Sequence, residues 1–190
     1  MASPFTPFNA LGLTHEVMSR HIPTGGFCVD ATAGRGRDAL FLCRLVGPTG
    51  RVLAMDIQPE AVAQTRALLR QEGCSWGQVV QDCHSRMEEY AQAGTVDGIM
   101  FNFGWLPGGD HDVFSCPDTS IRAVEAGLKL LRSGGLMSLC VYYGRNNGTA
   151  ERDALLEWLP TLDDKQFTVI RAEFSNRKGD VPFPVFIYKE

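Results

Sequence analysis

The sequence predicts an α/β fold, a seven-stranded and mostly parallel sheet with helices on both faces and an antiparallel C-terminal hairpin. Three observations predict it. Strand-like and helix-like stretches alternate along the whole chain, the order that builds a parallel sheet covered on both sides. Two strand-like runs open into glycine turns that carry polar groups, VDATAGRGRDAL at 29–40 and FNFGWLPGGDH at 101–111, as strand ends do where they form a site. The last two strands, FTVIRAEFSN and PVFIYKE, are separated only by RKGDVPF, too little chain for a crossover helix, so they must be antiparallel neighbours.

In chain order, 9–21 reads as a short leading helix and 27–32 as the first strand. A helix over 36–46 follows the glycines, and 51–57 is the second strand. The helix 59–72 opens on Pro59, favoured in a first helical turn. Strand 77–82 leads to a short helical segment at 84–92. The apolar run that begins strand 96–103 marks it as buried. An amphipathic helix at 117–132, a strand at 135–143, a helix at 150–159 and strands at 167–175 and 184–189 complete the chain. Seven strands with a terminal hairpin differ from the six parallel strands of the dinucleotide dehydrogenases. At 190 residues the chain fits one domain over 1–190, since domains run to roughly 100–200 residues.

Composition narrows the function classes. With 44% hydrophobic and 21% charged residues the chain reads as a soluble globular protein rather than a disordered one. Its 18 basic and 22 acidic residues leave a formal charge of -4, which argues against a general polyanion-binding surface, so any nucleic-acid contact must be local. The six cysteines, at 28, 43, 74, 83, 116 and 140, form no CxxC pair and no Cys/His cluster with zinc spacing. They read as free thiols of a reducing compartment, with no metal site. The start MASPFTPFNALGL has no basic segment, and no apolar run approaches the roughly 18 residues of a membrane span. The expectation is a cytoplasmic protein.

The first turn reads as a cofactor site. Gly34 and Gly36 let the backbone turn tightly between a strand and a helix and approach a ligand. Asp56 ends the next strand, 20 residues after Gly36, where a carboxylate can accept from both hydroxyls of a ribose. Gly34, Gly36 and Ala39 also satisfy the GxGxx(G/A) dinucleotide pattern. Charge decides against a pyrophosphate, which would meet Asp30 just before the glycines and Asp38 just after them. S-adenosylmethionine instead brings an ammonium and a sulfonium, which acids attract. Thr32 lies in the same turn and is included on the cofactor side. Asp82 ends the third strand, where it can accept from an adenine amino group while the Cys83 backbone donates to a ring nitrogen.

The second turn reads as the reacting side. Asn102 ends the fourth strand, which lies beside the first in a doubly wound sheet and so at the topological switch point. The transferred methyl belongs at that edge, which makes Asn102 a candidate for both cofactor contact and catalysis. Gly104, Pro107, Gly108 and Gly109 shape the following loop, and Trp105 is either core or a platform for a base. Asp110 and His111 are candidates to orient a substrate amine or take its proton. After the fifth strand Tyr142, Tyr143, Gly144 and Arg145 face the same edge. Alternation places one tyrosine in the core and one at the site, and Tyr142 is the catalytic candidate. Arg145 can hold a phosphate or pair with Glu151.

Together THEVMSRHIPTGGFCVDATAGRGRDAL, AMDIQPEAV, FNFGWLPGGDH, GGLMSLCVYYGRNNGTAERDAL and PFPVFIYKE resemble a bacterial family of Rossmann-like class I S-adenosylmethionine-dependent methyltransferases. These are the rRNA methylases whose characterised members are tRNA 5-aminomethyl-2-thiouridine methyltransferases. The resemblance covers nearly the whole chain. It implies N-methylation of the aminomethyl group on a wobble uridine, with tRNA as partner. A cofactor role for Asp30, Gly34, Gly36, Asp56, Ile57, Gln58, Asp82 and Cys83 is also implied, and a substrate-side role for Asn102 and its loop. The chain departs from the family at Arg35, where an Asn usually stands between the glycines, and at Arg145, where a His often stands. A basic patch around Arg20, Arg35, Arg37 and Arg145 would serve tRNA, and the reading also allows a homodimer. Two alternatives stay open, a methyltransferase acting on rRNA or a small molecule, and a nonenzymatic nucleotide-binding module.

Overall fold

The alternating pattern folds into a single seven-stranded sheet ordered β3-β2-β1-β4-β5-β7-β6. Its strands are β1 (Phe27–Asp30), β2 (Arg51–Asp56), β3 (Gly77–Gln81), β4 (Val96–Phe103), β5 (Leu131–Val141), β6 (Phe167–Arg171) and β7 (Phe183–Lys189). The helices are α1 (Ala10–His21), α2 (Arg37–Val46), α3 (Pro59–Gln71), α4 (Pro117–Leu130) and α5 (Gly148–Trp158), with short 3-10 helices at His84–Glu89 and Leu159–Thr161. The computed structural model describes residues 8–103, 117–143 and 148–190. Among these residues no helix is long and apolar enough to cross a membrane.

Strand side chains alternate between two cores, which is why helices cover both faces. Cys28, Val52, Ala54, Met100 and Leu136 pack against Met18 of α1, Leu42 of α2 and Leu69 of α3. Val29, Leu53, Phe101, Phe103 and Leu139 pack against Val124 of α4 and Leu155 of α5. Asn9 caps α1, its side-chain oxygen accepting from the Gly12 N–H at 2.7 Å, and α1 lies flat on the sheet where Gly98 of β4 leaves room. A Cβ at Gly98 would come within 2.3 Å of Ile22 and 2.9 Å of Met18.

The C-terminal hairpin forms as expected, and β7 inserts between β5 and β6, antiparallel to both. Several boundaries differ from the sequence reading. The fifth strand begins at Leu131, which pairs with Val96 before the register slips and resumes at Leu136 opposite Gly98. Gly134, with φ +73°, lies in that slip, so the helix before it stops at Leu130. The sixth strand ends at Arg171 rather than 175. The Ala172 N–H still donates to the Pro184 carbonyl at 3.0 Å, but proline has no N–H to return, and the ladder stops there. The segment read as a helix over 84–92 is only a 3-10 helix. The five described cysteines are free thiols.

Candidate functional site

The glycine turn after β1 is held from two sides. Asp56, at the end of β2, accepts from the Gly34 N–H at 2.9 Å and from the Gln58 N–H at 3.0 Å, so one carboxylate ties together the turns that leave both strands. Thr65 of α3 donates its hydroxyl to the Gly34 carbonyl at 3.2 Å. Gly36 begins α2 with φ +78°, and a Cβ there would sit 2.9 Å from the Thr65 Cα. Gly36→Ala therefore combines left-handed strain with a backbone clash, and should cost about 2–4 kcal/mol of stability. Urea unfolding checks this, and an unchanged midpoint would remove the argument.

Three carboxyls gather where β1, β2 and α2 meet. Asp30 is only 1% exposed; one of its oxygens accepts from the Thr32 N–H at 3.2 Å and the other has no hydrogen-bond partner. Burial, and after it the charge of Asp38, push its carboxyl well above the usual range, with Asp56 adding to the effect. A buried acid among acids, with one open oxygen, is a poor structural element and a good cation site. The folded-state pKa is raised, so what Asp30 contributes to stability is present in full below its unfolded pKa and is lost as pH rises through the folded value. Asp30→Asn should thus raise the urea midpoint at pH 7 and above while weakening binding of a cationic ligand. A midpoint that falls throughout that range would contradict the assignment.

Asp82 follows β3. Its carboxylate accepts from the Tyr90 hydroxyl at 2.7 Å, the Cys83 N–H at 2.8 Å and Arg86 at 3.2 Å. The Tyr90 hydrogen bond above all, then the Cys83 N–H and the Arg86 charge, hold it below the usual carboxylate range. Ile57, next to Asp56, is 48% exposed.

The edge that the sequence reading assigned to the substrate is built on β4 and β5, on the face covered by α1 and α2. The Asn102 N–H donates to the Thr32 hydroxyl at 2.8 Å, its Nδ2 donates to Asp38 Oδ2, and its Oδ1 is buried without a partner. The register sets Asn102 opposite Cys140. Tyr142 lies on that same face, beside the Cys140 thiol and 38% exposed. Tyr143 turns the other way, its ring 5.9 Å from that of Phe183 and covered by the Arg152 guanidinium at 4.6 Å. Burial pushes the Tyr142 phenol up, with Cys140 and Asp38 adding to it, so it remains a donor at neutral pH. Burial likewise pushes the Cys140 thiol to about 12, far from a thiolate nucleophile.

Asp38 enters the site through protein partners. One oxygen accepts from Asn102 and the other from His15 Nε2 at 2.6 Å. His15, on α1 and 23 residues away in sequence, has no local spacing that would single it out. His84, which follows Cys83 directly, was not singled out from the sequence either. Its ring stands edge-on to Phe101 and Phe103, at 5.9 and 6.3 Å, and burial lowers its pKa. Asp110, His111, Trp105, the glycines of their loop, Gly144 and Arg145 lie outside the described residues. Of the arginines expected to form a basic patch, Arg20 pairs with Glu16 at 2.6 Å, and Arg35 and Arg37 are exposed at the glycine turn.

The family described as "Putative rRNA methylase" matches residues 52–188. The chain belongs to this family. The methylase is 33% identical over 190 residues to the chloroplastic tRNA (mnm(5)s(2)U34)-methyltransferase of Arabidopsis thaliana, a match covering 95% of this chain and 69% of that one. The structure of a "putative rRNA-methylase" from Clostridium thermocellum superposes with a TM-score of 0.94 at 37% identity, covering 97% of this chain and 100% of that one. That of a "putative methyltransferase" from Streptococcus mutans, in complex with SAH, has a TM-score of 0.86 at 31% identity and covers 100% of both chains. The methylase is a class I methyltransferase that uses S-adenosylmethionine. Its own residues fit that cofactor, since the open Asp30 oxygen suits an ammonium or sulfonium and would repel a phosphate.

Proposed function

We propose that this enzyme N-methylates the aminomethyl group of a wobble (2-thio)uridine in tRNA. The observation that carries the proposal is the Asn102 carboxamide. Its nitrogen is committed to Asp38, and its buried oxygen is an open acceptor beside the acidic cluster. An acceptor at that place suits a substrate that brings an N–H, as an exocyclic amine does. The similarity to a relative named for a wobble-uridine tRNA methyltransferase supports the same substrate.

On the cofactor side, Asp30 would take the positive end, Gly34 and Gly36 would admit it close to the backbone, and Asp56 would accept from the ribose hydroxyls. Thr32 would brace the turn from the Asn102 N–H, and Ile57, Gln58, Asp82 and Cys83 would flank the base. S-adenosylmethionine supplies a methyl carbon on a sulfonium that an uncharged amine can attack in line. The protein's tasks are then alignment and exclusion of water. Asn102 Oδ1 would accept one amine hydrogen and leave the lone pair free to point at the methyl. An alkylamine is mostly protonated at neutral pH and must lose a proton first; Asp110, His111 or water would accept it. Tyr142, a donor at that pH, would orient rather than deprotonate.

Mass spectrometry of tRNA nucleosides from a strain lacking the gene tests the proposal. Loss of the methylated wobble uridine, restored by the purified enzyme and S-adenosylmethionine, is the expected result. Intact tRNA modification together with a missing methyl group in rRNA would replace it with the rRNA reading.

A further inference from the structure

A carboxamide has two nearly isosteric orientations, and only one of them helps methyl transfer. If Asn102 turned its nitrogen to the substrate, an N–H would bind the lone pair that has to attack. With its oxygen forward it accepts an N–H and leaves that lone pair free. Asp38 decides the matter, because a carboxylate only accepts and so requires Nδ2 to face it.

The orientation of Asp38 is itself determined. Its Oδ1 accepts from His15 Nε2 at 2.6 Å, and the His15 ring is clamped against Phe41, with centroids 3.9 Å apart and planes 2° from parallel. Asp38 and Phe41 both belong to α2, one turn apart, so the imidazole of α1 is gripped at its edge and its face by one helix. His15 and Asp38 are each 7% exposed, which screens the pair from water and makes each hydrogen bond in the series costly to lose. The Asn102 N–H, donating to the Thr32 hydroxyl at 2.8 Å, fixes the backbone from which the carboxamide extends.

We propose that His15 is a positioning residue for methyl transfer, holding through Asp38 the carboxamide of Asn102 with its oxygen toward the substrate amine. This rests on the reading of Asn102 as the amine acceptor. No contact of His15 itself with substrate or cofactor is needed.

His15→Ala should lower kcat by about tenfold or more, the scale of a lost charge-assisted hydrogen bond, with S-adenosylmethionine affinity, measured by calorimetry, unchanged. His15→Gln places an amide N–H near the lost Nε2 and should restore much of the rate. The losses from His15→Ala and Asn102→Ala should not multiply in the double variant, because both remove the same oriented oxygen. The Asn102 side-chain amide signals in NMR, assigned by their loss in Asn102→Ala, should be protected from exchange in the wild type and lose that protection in His15→Ala without any substrate present.

Multiplying losses, no rescue by Gln, or unaltered amide signals would overturn the proposal. If His15→Ala does not fold, Asp38→Asn serves instead. An amide at 38 can offer an N–H and let Asn102 turn over, so kcat should fall with the fold retained; a wild-type kcat there overturns the proposal. Full turnover by Asn102→Ala on tRNA lacking the modification would instead sink the amine-acceptor reading. A crippled Asn102→Ala beside an unimpaired His15→Ala would sink only the role of His15.

Discussion

Replacing Asn102 with Ala should slow methyl transfer by roughly 10²-fold, the scale expected when a reacting group loses its alignment, while S-adenosylmethionine binds with nearly wild-type affinity. The separation follows from geometry. The Asn102 backbone N–H, which holds Thr32 at 2.8 Å, survives the substitution, so the turn proposed to receive the cofactor keeps its brace. What disappears is the buried Oδ1 and the partner of Asp38 Oδ2. Asn102→Asp should be at least as harmful, because it sets a second carboxylate against Asp38. Single-turnover kinetics on tRNA with calorimetry of cofactor binding separate the two quantities. Unchanged turnover in Asn102→Ala would remove its role, and an equal loss of affinity would move it to the cofactor side.

Asp56→Ala should show the opposite split, with S-adenosylmethionine affinity down by roughly 10²-fold, about 3 kcal/mol, and turnover at saturating cofactor much less affected. Asp56 accepts from the Gly34 N–H at 2.9 Å and the Gln58 N–H at 3.0 Å. Removing it frees both turns that leave β1 and β2, together with the acceptor proposed for the ribose. Asp56→Asn keeps one oxygen acceptor and should fall between alanine and wild type. An unaltered affinity in Asp56→Ala would undo the ribose assignment.

Both predictions draw on features legible at different levels. The place of Asp56 at a strand end beside a glycine turn was legible, because strand, turn and helix are local patterns read over a few residues. The place of Asn102 near the end of β4 was legible for the same reason, with its strand's rank in the doubly wound order. Its orientation was not, since Asp38 lies 64 residues away and His15 belongs to a helix whose seat on the sheet depends on Gly98. Tyr142 was named over Tyr143 without a local signal that separates them, and the sheet supplies one. Alternation says that they point apart, and the pairing of Asn102 with Cys140 puts Tyr142 on the face of Asn102. Asp82 was found as a strand-end acid, and its bond to Tyr90 was not, because that tyrosine lies beyond a 3-10 helix with no periodic signal.

The sequence by itself determined the order of the elements, the glycine turn, the acids at the strand ends and the terminal hairpin. Each follows from backbone preference and side-chain periodicity within a short window. Tertiary structure alone decided that β7 enters between β5 and β6, that Asp38 faces His15 and Asn102, and that the Asn102 oxygen is buried without a partner. Those outcomes depend on which buried donor meets which acceptor once α1 and α2 are packed on one face, and no local spacing encodes that meeting.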